Sequence, residues 1–344
     1  MNATLNPLLN AYHTFCTSIE KNAWFGVLLF VITILVLVSA YNKFQRLNGA
    51  VRPYSGSFME SFVQSGSKSS ESSGSSGSSG SNRVVVKTDG DIKDAFYAAV
   101  YDDIFTQRVT NAHEVGAIIN QYPDISNQAI ALDIGAGTGA YMRAFIKHGI
   151  TDITGIEPSG AMIAQAKKAH PRLNLNIVKG DPATTTAFKP DSFTLVTLLN
   201  FEVYHIRNTQ QLFANVYEWL KPGGYFVLHL VDPRRFNAAS LLGLTQPSSQ
   251  ANDRSRAQNA VKFRDFEYTS DVQVFPNDMV QYMEVFTDDK TGQTRKNVRN
   301  FRMPSPQTFI ETASEAGFNM LGQIDLVKAH KAYQYFYLFY KPAN

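Results

Sequence analysis

The stretch ALDIGAGTGAY, residues 131–141, has the residue types and spacing to hold an adenosine-bearing ligand. Its glycines let backbone approach a ligand where a Cβ would stand in the way, and they permit a sharp turn into a helix. Two chemistries fit the letters. Gly135, Gly137 and Gly139 spell the G-x-G-x-G of a methyl-donor loop, whereas Gly135, Gly137 and Ala140 spell the G-x-G-x-x-A variant of a dinucleotide loop. The acid two residues before the first glycine weighs between them. A carboxylate at Asp133 suits a ligand carrying an ammonium and a sulfonium, and it repels a pyrophosphate. Glu157 closes the next apolar run, DITGIE, where a carboxylate can accept two charge-assisted hydrogen bonds from a ribose diol.

A second group of reactive side chains crowds TLLNFEVYHIRN: Asn200, Phe201, Glu202, Tyr204 and His205. Methyl transfer from a sulfonium is an in-line displacement, so the protein mainly aligns nucleophile and methyl group and in some cases removes a proton. His205 is the best general base on intrinsic pKa. A histidine packing at the start of the next helix fits the same position.

These residues must be positioned by the elements around them. From about Val84 onward helical and strand patterns alternate: helices in DIKDAFYAAVYDDIF, AHEVGAIINQY, YMRAFIKHG, GAMIAQAKKAH and TQQLFANVYEWL, strands in AIALDI, DITGIE, LNLNIV, SFTLVTLLN and YFVLHLV. Apolar strands between amphipathic helices predict a parallel sheet covered on both faces, with ligands outside the carboxyl ends of the strands. The end of the chain departs from this. PQTFIETASEAGF is a helix stopped by Gly317, and NMLGQIDLV and YQYFYLFYK are two strands whose short link requires antiparallel pairing.

Taken in order, LDIGAGTG, GIEPS, VKGDP, KPGG (Lys221 to Gly224) and a hairpin after AGF (Ala316 to Phe318) resemble the class I S-adenosylmethionine-dependent methyltransferases, in particular their small-molecule branch, over roughly residues 95 to 342. The resemblance implies a Rossmann-like seven-stranded α/β sheet of order 3-2-1-4-5-7-6, with one antiparallel strand and helices on both faces. It implies S-adenosyl-L-methionine as cofactor, held by Asp133, Gly135, Ala136, Gly137, Gly139, Glu157, Pro158, Met162, Asp181 and Asn200. Within that set Asp181 would reach the adenine amino group and Met162 would pack on the ring; a turn residue and a core residue are the competing readings. His205, Tyr204 and Tyr101 are the catalytic candidates, Tyr101 because it is similar to a tyrosine that an N-terminal helix places over the donor. Tyr141 and Arg143 are candidates for the methionine end. A nicotinamide-dependent oxidoreductase and a donor-binding pseudoenzyme remain alternatives.

The insertion at about 233–304 is the most distinctive part. Its alternating aromatic and polar residues around the KTGQ turn (Lys290 to Gln293) predict antiparallel strands, similar to the substrate-covering sheet of some sugar and amine N-methyltransferases. Its head, residues 241–258, reads as a mobile loop. Basic and acidic side chains interleave through the insertion, and Asn200-Phe201-Glu202-Val203 departs from the Pro-Pro-aromatic turn of base amino-methylating enzymes. A small-molecule acceptor is expected, not nucleic acid. The one cysteine, Cys16, excludes a disulfide framework, a Cys-rich zinc site and thiolate attack from the domain; no metal is expected.

Upstream, Trp24 to Tyr41 is uncharged and almost wholly apolar, long enough at 1.5 Å per residue to span roughly 27 Å of bilayer. One transmembrane helix is expected over 24–41, after a short non-cytosolic segment, 1–23. Lys43, Arg46 and Arg52 follow it and only Lys21 precedes it, which orients the C-terminal bulk to the cytosol. Residues 42–83, rich in Ser and Gly, predict a disordered linker, and residues 84–344 the methyltransferase domain. Net charge, +3, points to no particular partner.

Overall fold

A computed structural model describes residues 84–105, 108–121, 128–184, 188–235, 259–263, 265–329 and 331–343. The expected N-terminal segment (1–23), transmembrane helix (24–41), linker (42–83) and insertion head (241–258) lie outside the described residues. Among the described residues no helix is long and apolar enough to cross a membrane.

In chain order the strands are β1 (Val84–Thr88), β2 (Ile130–Ile134), β3 (Asp152–Glu157), β4 (Asn176–Lys179), β5 (Phe193–Leu198), β6 (Leu220–Val231), β7 (Asn259–Lys262), β8 (Phe266–Val274), β9 (Met279–Asp288), β10 (Thr294–Arg302), β11 (Asn319–Asp325) and β12 (Gln334–Tyr340). The helices are α1 (Ala95–Phe105), α2 (Arg108–Gln121), α3 (Ala140–Lys147), α4 (Gly160–Ala169), α5 (Thr209–Trp219) and α6 (Pro306–Glu315).

Seven strands form one sheet in the order β4-β3-β2-β5-β6-β12-β11, the arrangement expected from the motifs. β12 runs antiparallel to both β6 and β11 while the other pairs are parallel. Neighbouring residues of β2 and β5 feed opposite faces. Leu132, Ile134 and Val196 pack with Leu212, Phe213 and Val216 of α5, whereas Ala131 and Leu195 pack with Phe145 of α3 and Val115 and Ile118 of α2. Both faces are therefore apolar, which is why these strands read as continuous runs. Side chains cap two helices: Ser159 accepts from the Met162 N–H at α4 and Asn208 from the Gln211 N–H at α5.

The KPGG turn is drawn into β6. The ladder with β5 is irregular between Phe193 and Leu195, and the turn is tied to the chain's end by Gly223 N–H to Lys341 O and Lys341 N–H to Gly224 O.

The insertion forms antiparallel strands as expected, β7 to β10, in a second sheet ordered β1-β10-β9-β8-β7. Its edge strand β1 is a departure. Val84–Thr88 pairs parallel with Thr294–Val298, more than 200 residues away, a partner that local periodicity cannot reveal.

Candidate functional site

β2 delivers Asp133 to the carboxyl edge of the sheet, 3% exposed, with Oδ1 accepting from Thr197 Oγ1 at 2.9 Å. Burial raises its carboxyl to about 7, against the Thr197 hydrogen bond and with the charges of Glu157 and Glu202 adding to the rise. It forms no ion pair among the described residues. An acid buried at this cost, with no ion-pair partner among the described residues, is suited to a cationic ligand.

The loop after β2 has Gly135, Gly137 and Gly139 in the left-handed region, at φ of 72°, 54° and 77°. Gly135 and Ala136 both donate N–H to Ile156 O, at 2.9 and 3.1 Å, fixing the loop to the end of β3. At Gly135 glycine is required twice over, for φ and because a Cβ would collide with Glu202 Cγ. Ala136 faces the sheet, where its Cβ occupies the space a side chain at position 155 would need.

Glu157, fully buried, ends β3. Its carboxylate accepts from the N–H of Gly137 at 3.1 Å and of Ser159 at 3.0 Å, and Lys93 Nζ lies 3.8 Å from Oε1. Burial raises this carboxyl; Lys93 opposes the rise. Lys93 also donates to Glu202 at 3.0 Å. Burial alone would raise Glu202, but Lys93, His205 and Arg299 together hold it below the usual carboxylate range.

Lys93 belongs to the turn before α1, and several elements pin that turn. Ser159 Oγ donates to Lys93 O at 2.6 Å, while Arg295 of β10 donates to Asp94 at 2.9 Å and to Ile92 O at 3.0 Å. Sequence reading missed Lys93; only the three-dimensional return of the insertion sheet brings it to Glu157. Further along α1, the Tyr101 hydroxyl accepts from Asn200 Nδ2 at 3.1 Å, and burial pushes its pKa up to about 12. The Thr138 hydroxyl donates to Asp102, joining α1 to the glycine loop.

At the end of β5, Asn200 and Phe201 adopt left-handed φ of 51° and 63°. His229 of β6 holds this turn: its Nδ1 accepts from Asn200 N–H at 3.1 Å and its ring stacks on Phe201 at 4.6 Å. The turn then enters a 3-10 segment, Glu202–His205, that points His205 outward and Tyr204 inward. His205 is exposed at the rim, edge-on to Phe301 with ring centroids 4.9 Å apart. Its pKa is lowered by desolvation, Glu202 opposing and Arg299 and Lys93 adding, so the ring is neutral near pH 7.

Two cavities flank these residues. The smaller, ≈ 370 Å³, is lined by Gly135, Pro158, Asp181, Glu202 and His205 among others. The larger, ≈ 920 Å³, lies toward β10 and the start of α6, and shares Pro158, His205, Ile206 and Arg207 with the first. Gly135 of the glycine loop lines the smaller cavity, Asp133, Glu157 and Asn200 lie behind the lining of both, and β10 of the insertion sheet borders the larger. Asp181 is exposed at the smaller cavity, its Oδ1 accepting from Ala183 N–H at 2.9 Å.

Two expected residues are placed otherwise. The Tyr204 hydroxyl points into the core and accepts the Val231 N–H at 3.1 Å, with Phe309 edge-on at 5.4 Å, so it is engaged structurally and is withdrawn as an acid or base. Met162 is fully buried in α4, its Cε 3.5 Å from where a Cβ at Gly137 would stand, the placement of a core residue. Of the pair suggested for the methionine end, Tyr141 donates to buried Glu114 and Arg143 lies beside His170; neither lines a cavity.

The sheet order with its single antiparallel strand is that of the class I methyltransferases. Residues 131–224 match the family described as a methyltransferase domain. Solved structures share the fold. An S-adenosylmethionine-dependent methyltransferase from Clostridium acetobutylicum superposes with a TM-score of 0.54 at 15% identity, covering 72% of this chain and 98% of that one. DesVI from Streptomyces venezuelae gives 0.53 at 20% identity, covering 72% and 98%. A sugar N-methyltransferase from Streptoalloteichus gives 0.54 at 15%, covering 80% and 100%. No curated protein matches the chain in sequence. Residues 131–224, which include Asp133 and the glycine loop, thus match a methyltransferase domain, within a sheet whose fold the solved S-adenosylmethionine-dependent methyltransferases share.

Proposed function

We propose that this chain transfers a methyl group from S-adenosylmethionine to a nitrogen or oxygen of a small-molecule acceptor. The observation that carries the donor half is buried Asp133, a carboxyl raised to about 7 with no ion-pair partner among the described residues, beside a loop that leaves backbone bare. The donor supplies an electrophilic methyl group on a sulfonium. Asp133 meets its positive charge, Glu157 offers acceptor oxygens to ribose hydroxyls, and Asp181 and Pro158 border the space for the base.

The acceptor half rests on the larger cavity, which meets the smaller at His205. His205 accepts a hydrogen bond from the acceptor and takes its proton as the methyl group arrives. A pKa lowered to about 4 keeps the ring unprotonated at neutral pH but makes it a weaker base than an ordinary imidazole. Tyr101, hydrogen-bonded to Asn200, flanks the reacting centre as a neutral hydroxyl. The sugar N-methyltransferase with the same fold supports a small acceptor. We further propose attachment to a membrane through residues 24–41, with the domain in the cytosol, on the strength of the apolar run and the basic residues after it.

The full chain in detergent micelles, incubated with methyl-labelled S-adenosylmethionine and a cell extract, should label a metabolite or lipid. Donor binding with no label on any extract component would instead support a donor-binding tether.

A further inference from the structure

The larger cavity has a charge that the methyl-transfer reading does not use. Lys93, Arg207, Arg299 and Arg302 line it together with His205, and Asp89 is the one carboxylate among its lining residues. Two of these cations are committed. Lys93 is paired with Glu202 and Glu157. Arg299 lies over the rings of Tyr97 and Tyr282 and 3.4 Å from Glu284. Even so, the Arg299 Nη2 atom is buried with no hydrogen-bond acceptor in good geometry among the described residues. Arg207, after the 3-10 turn, and Arg302, at the end of β10, are both exposed and both line this cavity, Arg207 lining the smaller one as well. Neither forms an ion pair among the described residues.

Apolar side chains, Val203, Ile206, Met279, Phe301 and Phe309, complete the walls. Arginines bordering a partly apolar space match an oxyanion carried on an organic body. From this we infer that the acceptor is an anion, a molecule whose phosphate or carboxylate group is held by Arg207 and Arg302, with Arg299 behind them, while its methyl-accepting atom faces His205. The inference rests on the methyltransferase reading of the site and adds the class of acceptor.

The test uses the full chain in neutral detergent micelles, saturated with S-adenosylhomocysteine so that the donor cavity is filled. Inorganic pyrophosphate is titrated by calorimetry, with glycerol as the uncharged control. Pyrophosphate should bind and glycerol should not. Arg302→Gln and Arg207→Gln should each weaken pyrophosphate binding at least fivefold with the unfolding temperature unchanged. Arg172→Gln, at an exposed position lining neither cavity, should leave it unaltered.

A second arm compares glycerol 3-phosphate with dihexanoyl phosphatidylglycerol. Equal binding assigns the oxyanion to a soluble metabolite, and a gain of tenfold or more that is lost in Arg302→Gln assigns it to a lipid headgroup; either supports the inference. Absence of pyrophosphate and phospholipid binding to protein that does bind S-adenosylhomocysteine overturns the anionic acceptor alone. Failure to bind S-adenosylhomocysteine would overturn the methyltransferase reading instead.

Discussion

The sharpest consequence of the site concerns Asp133 and pH. In the ligand-free protein its carboxyl titrates near 7, because burial penalises the charge and Glu157 and Glu202 add to the penalty. A donor bearing positive charge binds only the ionised form well, so affinity is full above pH 7 and fades as pH falls through that value. At pH 6 about a tenth of the carboxyls are ionised, which weakens the donor about tenfold relative to pH 8, or about 1.4 kcal/mol. Calorimetric titration with S-adenosylmethionine between pH 5.5 and 8.5 reads this directly. Asp133→Asn should bind more weakly and lose the step at 7.

Stability supplies an independent readout with the opposite sign. Since the folded value lies above the ordinary 3.8, ionisation destabilises the ligand-free fold increasingly from about pH 4 to 7 and by a constant amount above. Asp133→Asn should therefore stabilise the ligand-free protein at pH 8, by up to about 4 kcal/mol, and less at pH 5. A wild-type affinity flat across this range, together with an Asn variant no more stable at pH 8, would refute the reasoning.

Three further outcomes follow from named contacts. Glu157→Gln keeps the shape of the side chain but removes the charge offered to the ribose, and calorimetry should show donor affinity reduced by more than about 1.4 kcal/mol, a tenfold loss. His205→Asn should lower single-turnover methyl transfer by about 10²-fold or more with donor affinity retained, and the wild-type rate should decline only on acidification below the ordinary histidine range, since its pKa is lowered. Tyr204→Phe should cost about 1 kcal/mol in urea unfolding, from the lost partner of Val231 N–H, with the turnover of folded enzyme unchanged; a large loss of turnover would return Tyr204 to the catalytic group.

How far these contacts could be read from sequence varies with their range. The strands and the terminal hairpin were legible because apolar runs and turns are local signals, while their order in the sheet came from the resemblance to the class I methyltransferases. Asp133, Glu157 and the glycines were legible too, since Asp133 and Glu157 stand at strand ends and the glycines follow within five residues of one. Lys93 was not: its role arises only when Arg295, some 200 residues later, clamps Ile92 and Asp94 beside the loop. The placement of Tyr204 was equally hidden, because one turn of 3-10 helix turns its hydroxyl to Val231 N–H while leaving His205 exposed at the rim. Met162 shows the same limit, as helical spacing alone does not say whether a side chain packs under a loop or lines it. β1 escaped notice since its partner is a strand at the far end of the insertion.

The most direct measurement is ligand choice by the full chain in detergent. Calorimetry at pH 8 should show saturable binding of S-adenosylmethionine and S-adenosylhomocysteine and none of NAD, because an acid beneath the loop attracts a sulfonium and an ammonium and repels a diphosphate. Tight binding of NAD with no response to either adenosyl compound would contradict the account.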